Sequence, residues 1–154
     1  MGRSIVSTHE EVEEEDMARI KHVAVATQDP DATAKFYVEG LGLEIAGKVN
    51  SVAAEGYYLT DGFINLAVLK FKDDSSANTE GSPKYSGLHH FGFLVEGMDE
   101  AEERIVGAGA TKKQSAITDA NKQAHTGNVE VKFTGPDGIT VDLSETGWAG
   151  ASND

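Results

Sequence analysis

The sequence predicts an α+β protein built from two copies of one unit, each made of a strand, a helix and three further strands. Two apolar, strand-like stretches mark the copies, Ile20–Thr27 and Gly87–Glu96, and they carry His22 and His90 at equivalent places. A short helical stretch follows each of them and ends at a Gly-x-Gly. One unit alone would leave a sheet face bare, whereas two units together can enclose a concave surface.

The first 18 residues predict a flexible acidic arm ahead of a single domain over 19–148. Six acidic residues lie between Glu10 and Asp16, and the arm has only one arginine to balance them. Such a segment repels itself and has little apolar surface to bury. His9, which lies in this arm, is therefore expected to be solvated, and residues 149–154 are expected to form a tail.

The first copy, over about 19–72, begins with a β-branched strand at 20–27. Asp29-Pro30 then starts a helix, because an acceptor side chain followed by proline favours the first helical turn. Gly40-Leu-Gly42 ends that helix, since glycine tolerates the left-handed conformation of a C-terminal cap. Three strands are predicted after it, with Asp61-Gly62 as the hairpin turn between the last two; they cover 44–49, 52–59 and 63–71.

A polar segment at 72–86 separates the copies, and the second copy, over about 87–146, repeats the order. A strand at 88–95 precedes a helix at 98–106 whose early acidic residues suit the helix dipole. Pro136-Asp-Gly is a turn before the last strand. The three remaining strands are predicted at 110–113, 129–133 and 139–144.

Composition excludes several classes of function. The 154 residues contain no cysteine, so disulfides, thiolate zinc sites and cysteine nucleophiles are ruled out. A net charge of -13 argues against a nucleic-acid partner, which needs clustered lysine and arginine. No apolar run approaches the length of a membrane span, so we expect no membrane partner and a cytoplasmic location.

Polar residues on the last strand of each copy correspond to the two histidines. Asn65 and Asp142 each lie within an apolar strand a few residues after a glycine turn. A buried asparagine or aspartate needs a polar partner. We therefore expect Asn65, Asp142, His22 and His90 to point from four strands toward one place.

Four motifs occur in order along the chain: Ile20-Lys-His-Val-Ala-Val, Phe36-Tyr37 with Gly40-Leu-Gly-Leu, Gly87-Leu-His-His-Phe-Gly-Phe-Leu-Val, and Gly135-Pro-Asp-Gly-Ile-Thr-Val-Asp-Leu. Together they resemble the vicinal oxygen chelate superfamily, which includes glyoxalase I, methylmalonyl-CoA epimerase, extradiol dioxygenases and bleomycin resistance proteins. The resemblance covers roughly residues 19–148.

This resemblance implies paired βαβββ modules that form a cupped mixed sheet around a central pocket with a divalent metal. By position, the metal ligands fall on His22, Asn65, His90 and Asp142, although Asp142 replaces the usual glutamate and asparagine is a weak ligand. Two imidazoles and a carboxylate suit Fe, Mn, Co, Ni or Zn and leave positions for a substrate with two adjacent oxygens. The resemblance also implies a homodimer.

His89 competes with His90 for the ligand position. Because neighbouring residues of a strand face opposite ways, only one of the two is expected to point into the cup. The resemblance favours His90.

Further pocket residues are predicted with less direct support. His125 precedes a segment that resembles the extradiol dioxygenase signature, with Lys132 in place of a tyrosine, and could act as acid or base; an exposed loop histidine is the alternative. Glu55 is a second candidate base. Either Tyr57 or Tyr58 should line the pocket, since they alternate, and we assign Tyr57 and Lys132 to it.

Three functions remain open on sequence grounds. The first is a small metal-dependent enzyme of the glyoxalase or epimerase type, in which the metal stabilises an enolate of a small substrate. The second is a metal-free module that binds a small molecule, like the bleomycin resistance proteins. The third is an extradiol-type ring-cleaving dioxygenase with a 2-His-1-carboxylate site.

Overall fold

The structure, a computed structural model, describes residues 17–73, 84–113 and 130–154. The predicted arm up to residue 16 with His9, most of the polar segment between the copies, and His125 lie outside these residues. The first copy contains β1 (Arg19–Ala26), α1 (Pro30–Leu41), β2 (Glu44–Asn50), β3 (Ala54–Thr60) and β4 (Asn65–Phe71). The second contains β5 (Gly87–Leu94), α2 (Met98–Gly107), β6 (Thr111–Lys112), β7 (Val131–Thr134) and β8 (Thr140–Ser144).

The capping residues of α1 form the interactions that the sequence predicts. The Asp29 side chain accepts a hydrogen bond from the Ala32 backbone N–H at 3.0 Å, and Pro30 occupies the first turn. Gly42 adopts the left-handed conformation at φ 76 and donates its N–H to the Val38 carbonyl at 3.0 Å. These caps fix where the chain leaves β1 and where it re-enters the sheet at β2.

All eight strands form one mixed sheet in the order β2-β3-β4-β1-β5-β8-β7-β6. The first strands of the two copies, β1 and β5, pair antiparallel at its centre. Each also pairs in parallel with the last strand of its own copy, β1 with β4 and β5 with β8. The fold is therefore the α+β arrangement of two βαβββ units that the sequence predicts, and all four central strands come from one chain.

The two helices cover one face of the sheet. On this face, α1 packs through Ala34 against Leu59 and Val68, and α2 packs through Ala101 against Phe133 and Leu143. The opposite face, which we call the cup face, carries a third apolar cluster with many small side chains: Ala24, Ala26, Ala54, Ala67, Leu69 and Phe71. Neither described helix has the length and apolar character that a membrane span requires.

An irregularity in β5 changes which side chains reach the cup face. The pairing of β1 with β5 shifts register between Ala24 and Val25, which leaves His89 as the extra residue opposite them. At such a bulge the alternation of faces is interrupted. The ring of His89 contacts Phe71 of the cup-face cluster, with centroids 4.3 Å apart, and both His89 and His90 lie on this face. The prediction that only one of them could do so is wrong.

Candidate metal centre

The strand register places the polar residues of the four central strands in one row across the cup face. Asn65 on β4 pairs with His22 on β1, His22 pairs with Gly92 on β5, and Gly92 pairs with Asp142 on β8. The row continues onto β7, where Lys132 pairs with Asp142. Gly92 has no side chain, which leaves room for the Trp148 indole beside His22, and His90 lies two residues away along β5.

Three side chains of this group present ligand atoms to one another. The Nε2 atoms of His22 and His90 lie 3.0 Å apart, and His90 Nε2 lies 3.2 Å from Asp142 Oδ2. Ligand atoms of all three residues lie within 4.8 Å of one another, and all three residues are buried. The structure thus joins three of the four predicted ligands.

The spacing of these atoms fits a divalent metal. Bonds of about 2.1 Å to one ion place adjacent ligand atoms about 3.0–3.4 Å apart, which matches the separations of His90 Nε2 from His22 Nε2 and from Asp142 Oδ2. Among the described residues, the buried Asp142 Oδ1 has no hydrogen-bond partner, so the carboxylate keeps unused ligand capacity. Two imidazoles and a carboxylate are a donor set for first-row divalent metals such as Fe(II), Mn, Co, Ni or Zn.

Asn65, the fourth predicted ligand, instead makes hydrogen bonds at both ends of its amide. Its Oδ1 lies 2.8 Å from His22 Nδ1, and its Nδ2 donates to the Ala149 carbonyl at 2.8 Å. The second bond identifies Oδ1 as the acceptor, so His22 carries its proton on Nδ1 and directs the Nε2 lone pair toward His90. Asn65 therefore fixes the orientation of the His22 ring, and both ends of its amide are engaged in hydrogen bonds.

Burial keeps the histidines of the site neutral. It lowers the pKa of His22, against a smaller opposing effect of the Glu130 carboxylate, and it lowers the pKa of His90 well below the ordinary value. The pKa of His89 falls to about 4, again mainly because of burial and secondarily because of Lys132. Neutral imidazoles are the form that binds a metal.

His89 is coupled directly to His90. Their Nδ1 atoms lie 2.6 Å apart, which requires one proton between them. If His90 Nε2 serves as a ligand, its Nδ1 must carry the proton and donate it to His89 Nδ1. Strand alternation allowed only one of the two histidines to face the cup and the resemblance favoured His90, whereas the bulge in β5 brings both to this face.

The C-terminal residues close one side of the site. The Trp148 indole stacks on the His22 ring at a centroid distance of 4.9 Å and an interplanar angle of 4°. Beyond it, Gly150 accepts a hydrogen bond from Thr60 and Ser152 accepts one from the buried Lys21 Nζ, each at 2.8 Å. The segment expected to be a tail therefore contacts β1, β3 and β4.

Two charged residues extend the site toward β7. Lys132 Nζ donates to Asp142 Oδ2 at 2.7 Å and lies 3.4 Å from Glu130 Oε2. Burial lowers the pKa of Lys132, but the Asp142 and Glu130 carboxylates outweigh it and the net pKa is raised. Glu130 also accepts a hydrogen bond from the Trp148 indole N–H. Lys132 thus lies beside the cluster.

The structure corrects two assignments on β3. Tyr57 lies on the helix face, where its hydroxyl donates to Asp31 of α1 at 2.5 Å. Glu55 alternates with Tyr57 and Leu59 on that face and is exposed, so it does not point into the cup. Tyr58 lies on the cup face instead, and its pKa is raised by burial and by Glu130. The sequence showed that the two tyrosines point to opposite faces of the strand, but it did not show which of them faces the site.

Two surface hollows lie away from the cluster. One of about 340 Å³ is lined by Ala18, Val95 and Arg104, and one of about 370 Å³ by Ala34, Val38 and Tyr57. Both lie beside the helices. The buried His22, His90 and Asp142 indicate function more strongly than these hollows do, because a hollow can form on a protein surface without any reactive or metal-binding side chains.

The comparisons with known proteins agree with this architecture. Comparison with curated proteins finds no significant match. Among solved structures, a hypothetical protein of Bacillus halodurans is 17% identical, with 82% of this chain and 93% of that chain covered and a TM-score of 0.64. A methylmalonyl-CoA epimerase in complex with methylmalonyl-CoA and NH4+ is 19% identical, with coverages of 86% and 99% and a TM-score of 0.64.

A variant of the Streptomyces coelicolor methylmalonyl-CoA epimerase, in complex with 2-nitronate-propionyl-CoA, is 20% identical, with coverages of 83% and 96% and a TM-score of 0.62. At these identities the structural neighbours establish the fold alone. The family comparison goes further, because the model of the Glyoxalase/Bleomycin resistance protein/Dioxygenase superfamily matches residues 19–143. The chain therefore belongs to the glyoxalase/bleomycin resistance protein/dioxygenase superfamily.

Proposed function

We propose that this protein is a divalent-metal-dependent enzyme of the glyoxalase or epimerase type, acting on a small substrate with adjacent oxygens. The observation that carries the proposal is the convergence of His22, His90 and Asp142 from three neighbouring strands of one chain. The distances from His90 to His22 and to Asp142 match the separations of adjacent ligand atoms around one ion. Burial of three such groups without a functional reason would be costly.

In this proposal His22, His90 and Asp142 hold the metal, and Asn65 orients His22 through the bond to Nδ1. The bound ion would act as a Lewis acid on the substrate oxygens and so acidify the neighbouring C–H. The stacked Trp148 excludes water from one side of His22. The site is thus both shielded and rigid, which favours charge stabilisation in a reaction.

A proton-transfer group is also required, and we propose Glu130 for it. Glu55, the base predicted from the sequence, faces the helices, whereas Glu130 reaches both Lys132 and Trp148 at the edge of the cluster. Its side chain is 21% exposed, so it can meet a bound substrate and exchange protons with solvent. His125 remains a prediction as a second acid or base.

The substrate class follows from the structural neighbours and is part of the proposal. Methylmalonyl-CoA, which the epimerases act on according to their names, has a C–H between two carbonyl groups. A C–H of this kind is acidified when a cation engages the flanking oxygens. We therefore propose an acyl thioester or a related dicarbonyl compound as the substrate of this chain.

The test is exchange of the substrate C–H for deuterium. Methylmalonyl-CoA is incubated in D2O with protein reconstituted with Zn²⁺, Co²⁺ or Ni²⁺, and loss of the α-proton signal is followed by NMR. We expect exchange that is abolished in Asp142→Asn and retained in Asp99→Asn, a matched control at the exposed start of α2. Equal exchange by protein stripped of metal would refute metal dependence.

A metal-free binding module is the second candidate, and one contact favours it. Lys132 Nζ already neutralises Asp142 at 2.7 Å. Tight binding of a small molecule that a chelator leaves unchanged would support this alternative. Ring cleavage would use the same two histidines and aspartate, and oxygen uptake with catechol and Fe(II) distinguishes it from the epimerase reaction.

A further inference from the structure

We propose that Lys132 is a built-in competitor of the metal: its ammonium group and the ion share one position beside Asp142, so the lysine must leave before the metal binds. The inference rests on the proposed function as a metal centre and concerns how that centre is filled. It assigns Lys132 a role in setting metal affinity.

The ion and the ammonium would both be held by the Asp142 carboxylate, and Lys132 already occupies the oxygen that faces His90. Lys132 Nζ contacts Asp142 Oδ2 at 2.7 Å, and the same Oδ2 is the atom that lies 3.2 Å from His90 Nε2. An ion bound between Asp142 and His90 would therefore lie next to the ammonium, and two cations at this distance repel each other. Cross-strand pairing of Lys132 with Asp142 makes the contact a consequence of the fold.

The lysine also has a route away from the site. Its side chain is 41% exposed, whereas that of Asp142 is 0% exposed, so Lys132 can move while the aspartate stays in place. Glu130 offers a second carboxylate at 3.4 Å, and the Trp148 indole holds Glu130 by a hydrogen bond. Lys132 can thus exchange one ion pair for another without becoming unpaired.

This arrangement explains how the buried Asp142 charge is tolerated before a metal arrives. An unpaired buried carboxylate would destabilise the fold. With Lys132 as the provisional partner, the protein folds first and takes up the ion afterwards. The affinity for metal is lower as a result, because each binding event must break the ion pair.

Calorimetric titration of Zn²⁺ into three proteins tests the competition. We expect Lys132→Met to bind Zn²⁺ at least about tenfold more tightly than the wild type. Lys112→Met is the matched control, because Lys112 pairs with Glu102 at 2.7 Å beside α2 and its loss changes the net charge equally. That variant should bind Zn²⁺ like the wild type. Unchanged or weaker binding by Lys132→Met overturns the inference.

A second measurement uses the wild-type chain and does not depend on the folding of a variant. Lysines are acylated with a limiting amine-reactive reagent, with and without Zn²⁺, and the modified positions are quantified by mass spectrometry. We expect Lys132 to become several-fold more reactive with Zn²⁺ and Lys112 to be unchanged. Equal modification of Lys132 in both states contradicts the inference. Absence of Zn²⁺ binding in every variant would refute the metal centre itself, whereas equal affinities refute the competition alone.

Discussion

Replacing Gly92 with alanine should disrupt the site through one methyl group. Gly92 lies directly opposite His22, between β1 and β8. A Cβ atom at this position would lie 2.6 Å from Trp148 Cζ2 and 2.8 Å from His22 Cβ, closer than real Cβ contacts. Because the backbone of β1 holds the His22 Cβ in place, the Trp148 indole would have to move away from the His22 ring on which it stacks. Overpacking of this kind costs about 1–3 kcal/mol, and exposure of the indole adds about 1–2 kcal/mol.

The chain offers a selective probe and a matched control for this experiment. Trp148 is the only tryptophan, so its fluorescence reports on the stack alone. We expect Gly92→Ala to lower the free energy of unfolding by about 2–5 kcal/mol and to shift the emission to the red. Gly135→Ala, whose Cβ would meet its nearest atom at 3.5 Å, should change the free energy by no more than about 0.5 kcal/mol. Unchanged stability and emission in Gly92→Ala would refute the packing described for the site.

Three further predictions follow from the same contacts. The pKa of His89 is lower in the folded protein than in the unfolded chain, so its contribution to the free energy of unfolding is complete above about pH 6.5 and is lost as the pH drops toward 4. At pH 5 this residue alone should lower the free energy of unfolding by at most about 2 kcal/mol, measured by urea denaturation. A free energy that does not change over this pH range would contradict the prediction. Asn65→Leu should weaken Zn²⁺ binding by about 10–100-fold in a chelator competition, because His22 loses its orienting partner, while Asn50→Leu on β2 should not. Deleting residues 149–154 removes the acceptor of the Asn65 amide and should lower both the unfolding midpoint and the Zn²⁺ affinity; an unchanged affinity would show that the tail has no part in the site.

Local sequence signals were sufficient to predict the elements and the convergence of the ligands. Proline at the start of α1 and glycine at its end are strong signals of where a helix begins and ends. The alternation of β-branched residues with other residues likewise identifies β1 as a strand. Because the sequence repeats, His22 and His90 had to occupy equivalent strands. Asp142 followed from its place on the last strand of the second copy, where a buried carboxylate needs partners.

The details that depend on pairing between distant strands could not be predicted. The bulge at His89 arises from the register between β1 and β5, to which local alternation gives no clue. Which face of β3 carries Tyr58 depends likewise on how that strand pairs. Asn65 looked like a ligand because its partner, the Ala149 carbonyl, lies 84 residues away in the chain.

If one divalent metal binds to His22, His90 and Asp142, the metal content of the reconstituted protein must show it. The protein is stripped with chelator, reconstituted with Zn²⁺, desalted and measured by inductively coupled plasma mass spectrometry, with circular dichroism to confirm the fold of each variant. We predict one Zn²⁺ per wild-type chain and per Asp99→Ala chain, and a loss of bound metal in alanine variants of each of the three ligands. Folded wild type that retains no metal, or an Asp142→Ala variant that retains all of it, would contradict the claim.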